Sequence, residues 1–136
     1  MRCLIDTCLF VNIVEGGYVS DDIRDILFNY ENVIYISSES VKELVHLIQN
    51  DKITARKEIK KNFNLFSFID SLNLNVKYVT LEHLKKLNEL PIVETHNDPS
   101  DRLIISQAII ENLTLISSDT QFRKYRKYGL DLITND

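Results

Sequence analysis

The stretch HNDPSDRLIISQAIIENLTLISSD (residues 96–119) carries a helix start, a long apolar helix and a buried strand in unbroken succession. Asp98 as N-cap, Pro99 as the first helical residue and Asp101 in the first turn form a well-made helix N-terminus. The spacing predicts a helix over 99–112. Leu103, Ile104, Ile105, Ala108, Ile109 and Ile110 give it an apolar surface too wide for a helix lying on a solvated face, so it packs deeply. LTLIS (113–117) then reads as a strand, with Asp119 just beyond its end. Two acids three residues apart at the helix start, and a third past the strand, admit two explanations. One is helix architecture; the other is a metal.

Working outward, the same alternation recurs. RCLID (2–6) reads as a short buried strand, and CLFVNIVE (8–15) as a helix stopped by Gly16 and Gly17. Ser20 caps a second helix with Asp21 and Asp22 in its first turn, and Ile23, Ile26, Leu27 and Tyr30 follow the helical period. VIYI (33–36) is a strand. SESVKELVHLIQN (38–50) is a helix with Val41, Leu44, Val45 and Ile48 on one side. A longer helix over 54–72 shows Ile59, Phe63, Phe66 and Ile69. KYV near 77–79 is a third strand, and LEHLKKLNEL (81–90) is helical up to Pro91. DTQFRKYRKYG is a short helix ended by Gly129, and LDLIT (130–134) is a fifth strand. Strands alternating with helices imply a parallel α/β sheet covered on both faces, whose ligands bind beyond the carboxyl ends of the strands.

The bulk numbers fit one domain spanning residues 1–136. The chain is 44% hydrophobic and 26% charged, with 3 Gly and 2 Pro, which leaves little room for long loops or low complexity. No apolar run is long enough for a membrane span, and the start MRCLIDTCLF carries an Asp that a secretory signal would not; a cytoplasmic protein is expected. Cys3 and Cys8 have no zinc-like spacing, and Cys3 reads as a small core residue. A net charge of −4 argues against a purely basic nucleic-acid surface. It does not argue against an enzyme that holds phosphate through bound cations, which a sequence count omits.

Several acids fall where the open edge of the sheet is expected. Asp6 follows the first strand and Asp119 the fourth, each also a natural N-cap. Glu43 follows the second strand, where S-V-K-E from Ser40 matches a capping box and Glu39 is another first-turn acid. If the 99–112 helix begins at the same edge, Asp6, Glu43, Asp101 and Asp119 converge there. Burying them together costs on the order of several kcal/mol unless cations neutralise them. Hard oxygen ligands suit Mg²⁺ or Mn²⁺, and carboxylates without a Cys or His nucleophile suit metal-assisted phosphodiester hydrolysis.

On LIDTCLFV (4–11), SSESVKEL (37–44), HNDPSDRLIISQA (96–108) and LISSDTQF (115–122), in that order and spacing, the chain resembles PIN-domain ribonucleases of the VapC toxin type. The resemblance covers nearly the whole chain. It implies a three-layer α/β/α fold with sheet order 3-2-1-4-5, and Mg²⁺- or Mn²⁺-dependent endoribonuclease activity with Asp6, Glu43, Asp101 and Asp119 as catalytic metal ligands. It also implies a small antitoxin partner and a homodimer. Thr7 matches the hydroxyl residue that often follows the first Asp. Ser100 and Lys42 stand where the family commonly has an aromatic and a Trp, departures that bear on substrate preference rather than on the carboxylates.

Around these acids, Thr7, Asp98 and Ser118 are expected to orient ligands, Asp98 chiefly as the helix cap. Arg123, Lys124, Arg126 and Lys127, interleaved with Tyr125, are candidate RNA contacts, as is Arg102, which also reads as a local salt bridge. RKEIKK (56–61) reads as an exposed helix face. His46, His83 and His96 read as structural rather than as metal ligands. Two phosphotransfer folds fit less well: one wants an Asp at the position of Cys8, the other a Lys where Ser118 follows the fourth strand. The remaining alternative is a non-catalytic PIN-like scaffold that binds RNA or protein.

Overall fold

A computed structural model describes residues 1–53 and 64–136. Its sheet is parallel throughout, in the order β3-β2-β1-β4-β5, with β1 Arg2–Ile5, β2 Val33–Ser37, β3 Asn75–Lys77, β4 Thr114–Ser117 and β5 Leu132–Thr134. The helices are α1 Thr7–Val14, α2 Asp21–Phe28, α3 Ser38–Gln49, α4 Leu65–Ser71, α5 Leu81–Glu89 and α6 Pro99–Glu111, followed by a 3₁₀ helix over Thr120–Tyr128. Successive residues of a strand point to opposite faces, and the core divides accordingly. Cys3, Ile5, Ile34, Ile36 and Ile116 pack with α1–α4, while Leu4, Leu115 and Leu132 pack with α6 and the 3₁₀ helix. The three layers follow directly.

Two features fix α6 beneath the sheet edge. Residues 102–108 are buried without interruption, so the helix has no solvent stripe over that length, and Asn112 ends it in the left-handed conformation at φ 54°. Two of its buried side chains donate to backbone: Ser106 to the Arg102 carbonyl and Gln107 to the Lys77 carbonyl, while Gln107 Oε1 is buried without a partner among the described residues.

Four readings change. The third strand lies at Asn75–Lys77, because Val76 pairs with Ile36, while Tyr78 turns outward and the Val79 N–H leaves the ladder for Ser38 Oγ. The cap of α3 is Ser37, which accepts from the Glu39 N–H, so Glu43 lies a full turn too deep to close a capping box. Phe66 and Tyr30 are exposed; Leu65 and Ile69 are the buried residues of α4. The expected helix over 54–72 is present from Leu65 to Ser71 with Asn64 as its cap, and its earlier part, with the RKEIKK run, lies outside the described residues.

Candidate metal centre

Asp6 sits where β1 becomes α1, and both of its oxygens are held. Oδ1 accepts from the Leu9 N–H at 2.8 Å as the helix cap, and Oδ2 accepts from Ser117 Oγ, at the end of β4, at 2.6 Å. Its carboxyl is almost wholly buried, at 1% exposure. Burial pushes its pKa up to about 7, and the negative charges of Asp101 and Asp119 add to the rise against the two hydrogen bonds.

The remaining acids are positioned by other elements. Thr7 Oγ1 lies 2.9 Å from Glu43 Oε1 and 2.9 Å from Ser40 Oγ, joining the first turn of α1 to α3. Asp98 is exposed and accepts from the Asp101 N–H at 2.9 Å, so it starts α6 and leaves the Asp101 side chain free of capping. Asp119 caps the 3₁₀ helix through the Gln121 N–H, and its own N–H donates to Ser117 Oγ. The pKa of Glu43 is raised, first by burial and then by the charges of Asp101, Asp98 and Glu39. That of Asp101 is raised by burial and by Asp98 and Asp119, with His96 opposing. Three acids are thus driven toward their neutral forms, by burial first and by neighbouring carboxylates second, a state that a divalent cation relieves.

His96 enters this cluster from the loop ahead of α6. Its Nε2 lies 3.2 Å from Asp101 Oδ2 and 4.0 Å from Asp119 Oδ2, and one ligand atom from each of these three residues lies within 4.8 Å of the others. On the opposite side of the ring, Nδ1 is 2.9 Å from the Tyr125 hydroxyl, which also donates to the His96 carbonyl at 2.8 Å. The donors therefore fit a divalent ion: oxygen atoms dominate, the negative charge is uncompensated, and the reach of three ligand atoms is that of one coordination sphere.

Several expected residues have other partners. Arg102 is buried, with its guanidinium donating to the carbonyls of Leu90 and Pro91 at 2.9 Å each, and among the described residues it forms no ion pair. It straps the loop carrying His96 onto α6. Tyr125 is wholly buried against His96 and unavailable for stacking on a base. Arg123 pairs with Asp136 at 2.6 Å, Lys124 contacts Thr95 and Gln121, Arg126 donates to the Leu132 carbonyl, and Lys127 lies over the Tyr128 ring. Ser118 meets Asn135; the serine on the acids is Ser117. His46 contacts Asn50 at the end of α3, and His83 is buried in a structural network. His96, Ser117 and Tyr125 are the site residues that sequence reasoning missed. Ser117 had a signal, as the last residue of β4 beside Asp6; His96 had only its place in the HNDPSD motif.

The PIN domain family model matches residues 3–128. Among solved structures, the chain is similar to VapBC2 from Rickettsia felis bound to a promoter DNA fragment, at 24% identity and TM-score 0.73 over 100% of both chains. It is similar to VapBC-5 from Mycobacterium tuberculosis, a member of a toxin–antitoxin family, at 14% identity and TM-score 0.68 over 98% of each chain. It is also similar to DNA-bound VapBC from Salmonella typhimurium, at 16% identity and TM-score 0.67 over 100% of this chain and 99% of the other. At these identities the likeness is one of fold. No protein of curated function matches the chain.

Proposed function

The chain belongs to the PIN domain family, and on that premise we propose that it is a divalent-metal-dependent endoribonuclease, the toxin of a toxin–antitoxin pair. The observation that carries the reading is the meeting of ligand atoms of Asp101, Asp119 and His96 within 4.8 Å of one another, with Asp6 and Glu43 close enough for the charge of Asp101 to add to the rise that burial gives their pKa values. A bound Mg²⁺ or Mn²⁺ supplies Lewis-acid polarisation of the phosphate and a water of lowered pKa. Asp6, Glu43, Asp101 and Asp119 would hold the cation, Asp101 and Asp119 from the starts of α6 and the 3₁₀ helix. The Leu9 N–H, Ser117 and Thr7 keep Asp6 and Glu43 aimed. The products expected of the family are a 5′-phosphate and a 3′-hydroxyl. Arg123, Lys124 and Lys127 line the outer side of the 3₁₀ helix, where they are assigned to substrate phosphates.

Complexes of the VapBC type among the similar structures, and a toxin–antitoxin complex from Klebsiella pneumoniae, support a small antitoxin as the partner. Among the described residues no helix is long and apolar enough to cross a membrane. The reading places the protein's action on RNA in the cytoplasm, as a single domain that pairs with a second copy. The test is cleavage of RNA with and without Mn²⁺, by the wild type and by Asp6→Asn. Cleavage by the wild type alone, dependent on the ion, supports the reading. Equal cleavage by both proteins defeats it, and absence of Mn²⁺ binding by calorimetry favours a non-catalytic scaffold.

A further inference from the structure

We propose that His96 is a direct nitrogen ligand of the bound ion, with Tyr125 fixing the ring tautomer that makes it one. The inference rests on the reading of the acids as a divalent-metal site and deepens it to the make-up of the coordination shell. Its argument begins at the far side of the ring. The Tyr125 hydroxyl has one proton and two close neighbours, the His96 carbonyl at 2.8 Å and His96 Nδ1 at 2.9 Å. A carbonyl oxygen only accepts, so the hydroxyl proton is committed to it. Nδ1 must then be the donor, and the Tyr125 oxygen its acceptor. The Arg102 guanidinium, 3.4 Å from the same oxygen, reinforces its role as acceptor.

With Nδ1–H so fixed, the neutral ring presents a lone pair at Nε2. That lone pair faces Asp101 Oδ2 at 3.2 Å and Asp119 Oδ2 at 4.0 Å, both acceptors. Three acceptors facing one another are satisfied together by a cation seated between them. Ligands at right angles about 2.1 Å from one ion lie roughly 3 Å apart, which is the His96–Asp101 separation, and a small closure brings Asp119 in. The ring is held for this work. It is buried, packs edge-on against Phe122 and Tyr125, and sits in a loop strapped down by Arg102. A ligating histidine whose other N–H is bound to a fixed acceptor is the usual arrangement at protein metal sites. An imidazole nitrogen among carboxylate oxygens sets this shell apart from the all-oxygen shell that four acids alone would give.

The experiment is pulsed electron paramagnetic resonance on the full-length protein loaded with Mn²⁺ alone, after selective ¹⁵N-histidine labelling. The expected result is a directly bonded nitrogen coupling, lost in His96→Gln and kept in His46→Gln. In calorimetry, His96→Gln is expected to lose about 10- to 100-fold in Mn²⁺ affinity, and Tyr125→Phe to lose about 10-fold with the coupling retained. Mn²⁺ bound in an Asp101-dependent way without nitrogen coupling overturns the proposal and leaves the metal site intact; in that case the ring is an imidazolium held by the two carboxylates. Mn²⁺ that does not bind, or binds equally to Asp101→Asn, overturns the metal reading together with it.

Discussion

Two buried histidines each face a carboxylate, and the molecule treats them in opposite ways. His83, in α5, accepts from the Thr80 N–H at Nδ1, so its Nε2 carries the hydrogen that meets Glu111 Oε1 at 2.8 Å. Lys77 lies 3.4 Å from the other Glu111 oxygen. Hydrogen bonding from His83, and then the charge of Lys77, hold the Glu111 carboxyl below its ordinary range despite some burial. There the protein supplies its own donors, and the network fastens α5 to α6. At His96 the polarity is reversed: Nδ1 donates, Nε2 turns toward carboxylates, and Asp6, Glu43 and Asp101 all have raised pKa values. Among the described residues, the ion pairs of Asp101 and Asp119 are with His96, and the nearby Arg102 is spent on carbonyls. On the proposed reading, a histidine–carboxylate contact is structural where charge is balanced within the fold and functional where it is left in deficit.

The largest expected effect breaks that comparison cleanly. Asp101→Asn should lower Mn²⁺ affinity and RNA cleavage by on the order of 100-fold or more, since a ligand weighs at least as much as the outer partners that cost 10- to 100-fold. Glu111→Gln, its counterpart beside the other histidine, should leave both within about 2-fold. Calorimetry and a cleavage assay read the two together, and a Glu111 variant as damaged as the Asp101 one would erase the distinction. On the stability side the order inverts. His83→Leu strands the Thr80 N–H and the Glu111 carboxylate, at a cost of about 2–3 kcal/mol in denaturant unfolding, with Mn²⁺ affinity unchanged.

A pH series sharpens the contrast through its sign. The folded pKa of Asp6 is about 7 against an ordinary 3.8, so between those values the folded state binds more protons than the unfolded one. Metal-free stability therefore falls as pH rises through that window. Asp101, whose pKa is also raised, adds to the fall in the same direction. Glu111 is depressed, so its contribution is present above the ordinary carboxylate range and lost as pH falls. The expected melting curve of the metal-free protein drops by on the order of 5 °C from pH 5 to 8. Asp6→Asn flattens that limb, saturating Mn²⁺ abolishes it, and Glu111→Gln alters only the acid limb.

Much of this was legible because it is local. Each strand is a short apolar run next to a helical period, and the acids that matter stand at strand ends or helix starts, positions a sequence displays openly. β3 was displaced by two residues because it holds one apolar residue, Val76, and only pairing with Ile36 picks it out. The cap of α3 was misplaced because Ser37 and Ser40 are both competent, and strand geometry chooses between them. The histidine and its tautomer were not legible, since they depend on Tyr125 meeting His96 from 29 residues away. Arg102 was read by its charge, when its long side chain reaches backbone carbonyls 11 and 12 residues earlier. Side chains that act through distant backbone leave no periodic trace.

The smallest expected effect tests which of two adjacent serines belongs to the site. Ser117 Oγ donates to Asp6 Oδ2 and accepts from the Asp119 N–H, so a single hydroxyl ties two of the acids at adjacent strand ends. Its bond to Asp6 opposes the rise caused by burial. Ser117→Ala therefore leaves Asp6 more fully protonated at neutral pH, and a metal must displace that proton to bind. Mn²⁺ affinity should fall about 3- to 10-fold at pH 7 and recover as the pH is raised, with a stability cost of about 1 kcal/mol. Ser118→Ala, whose hydroxyl meets Asn135, should leave affinity and its pH profile unchanged. A Ser117 variant whose deficit persists unaltered at high pH would mean that the hydroxyl orients the acids without tuning their protonation.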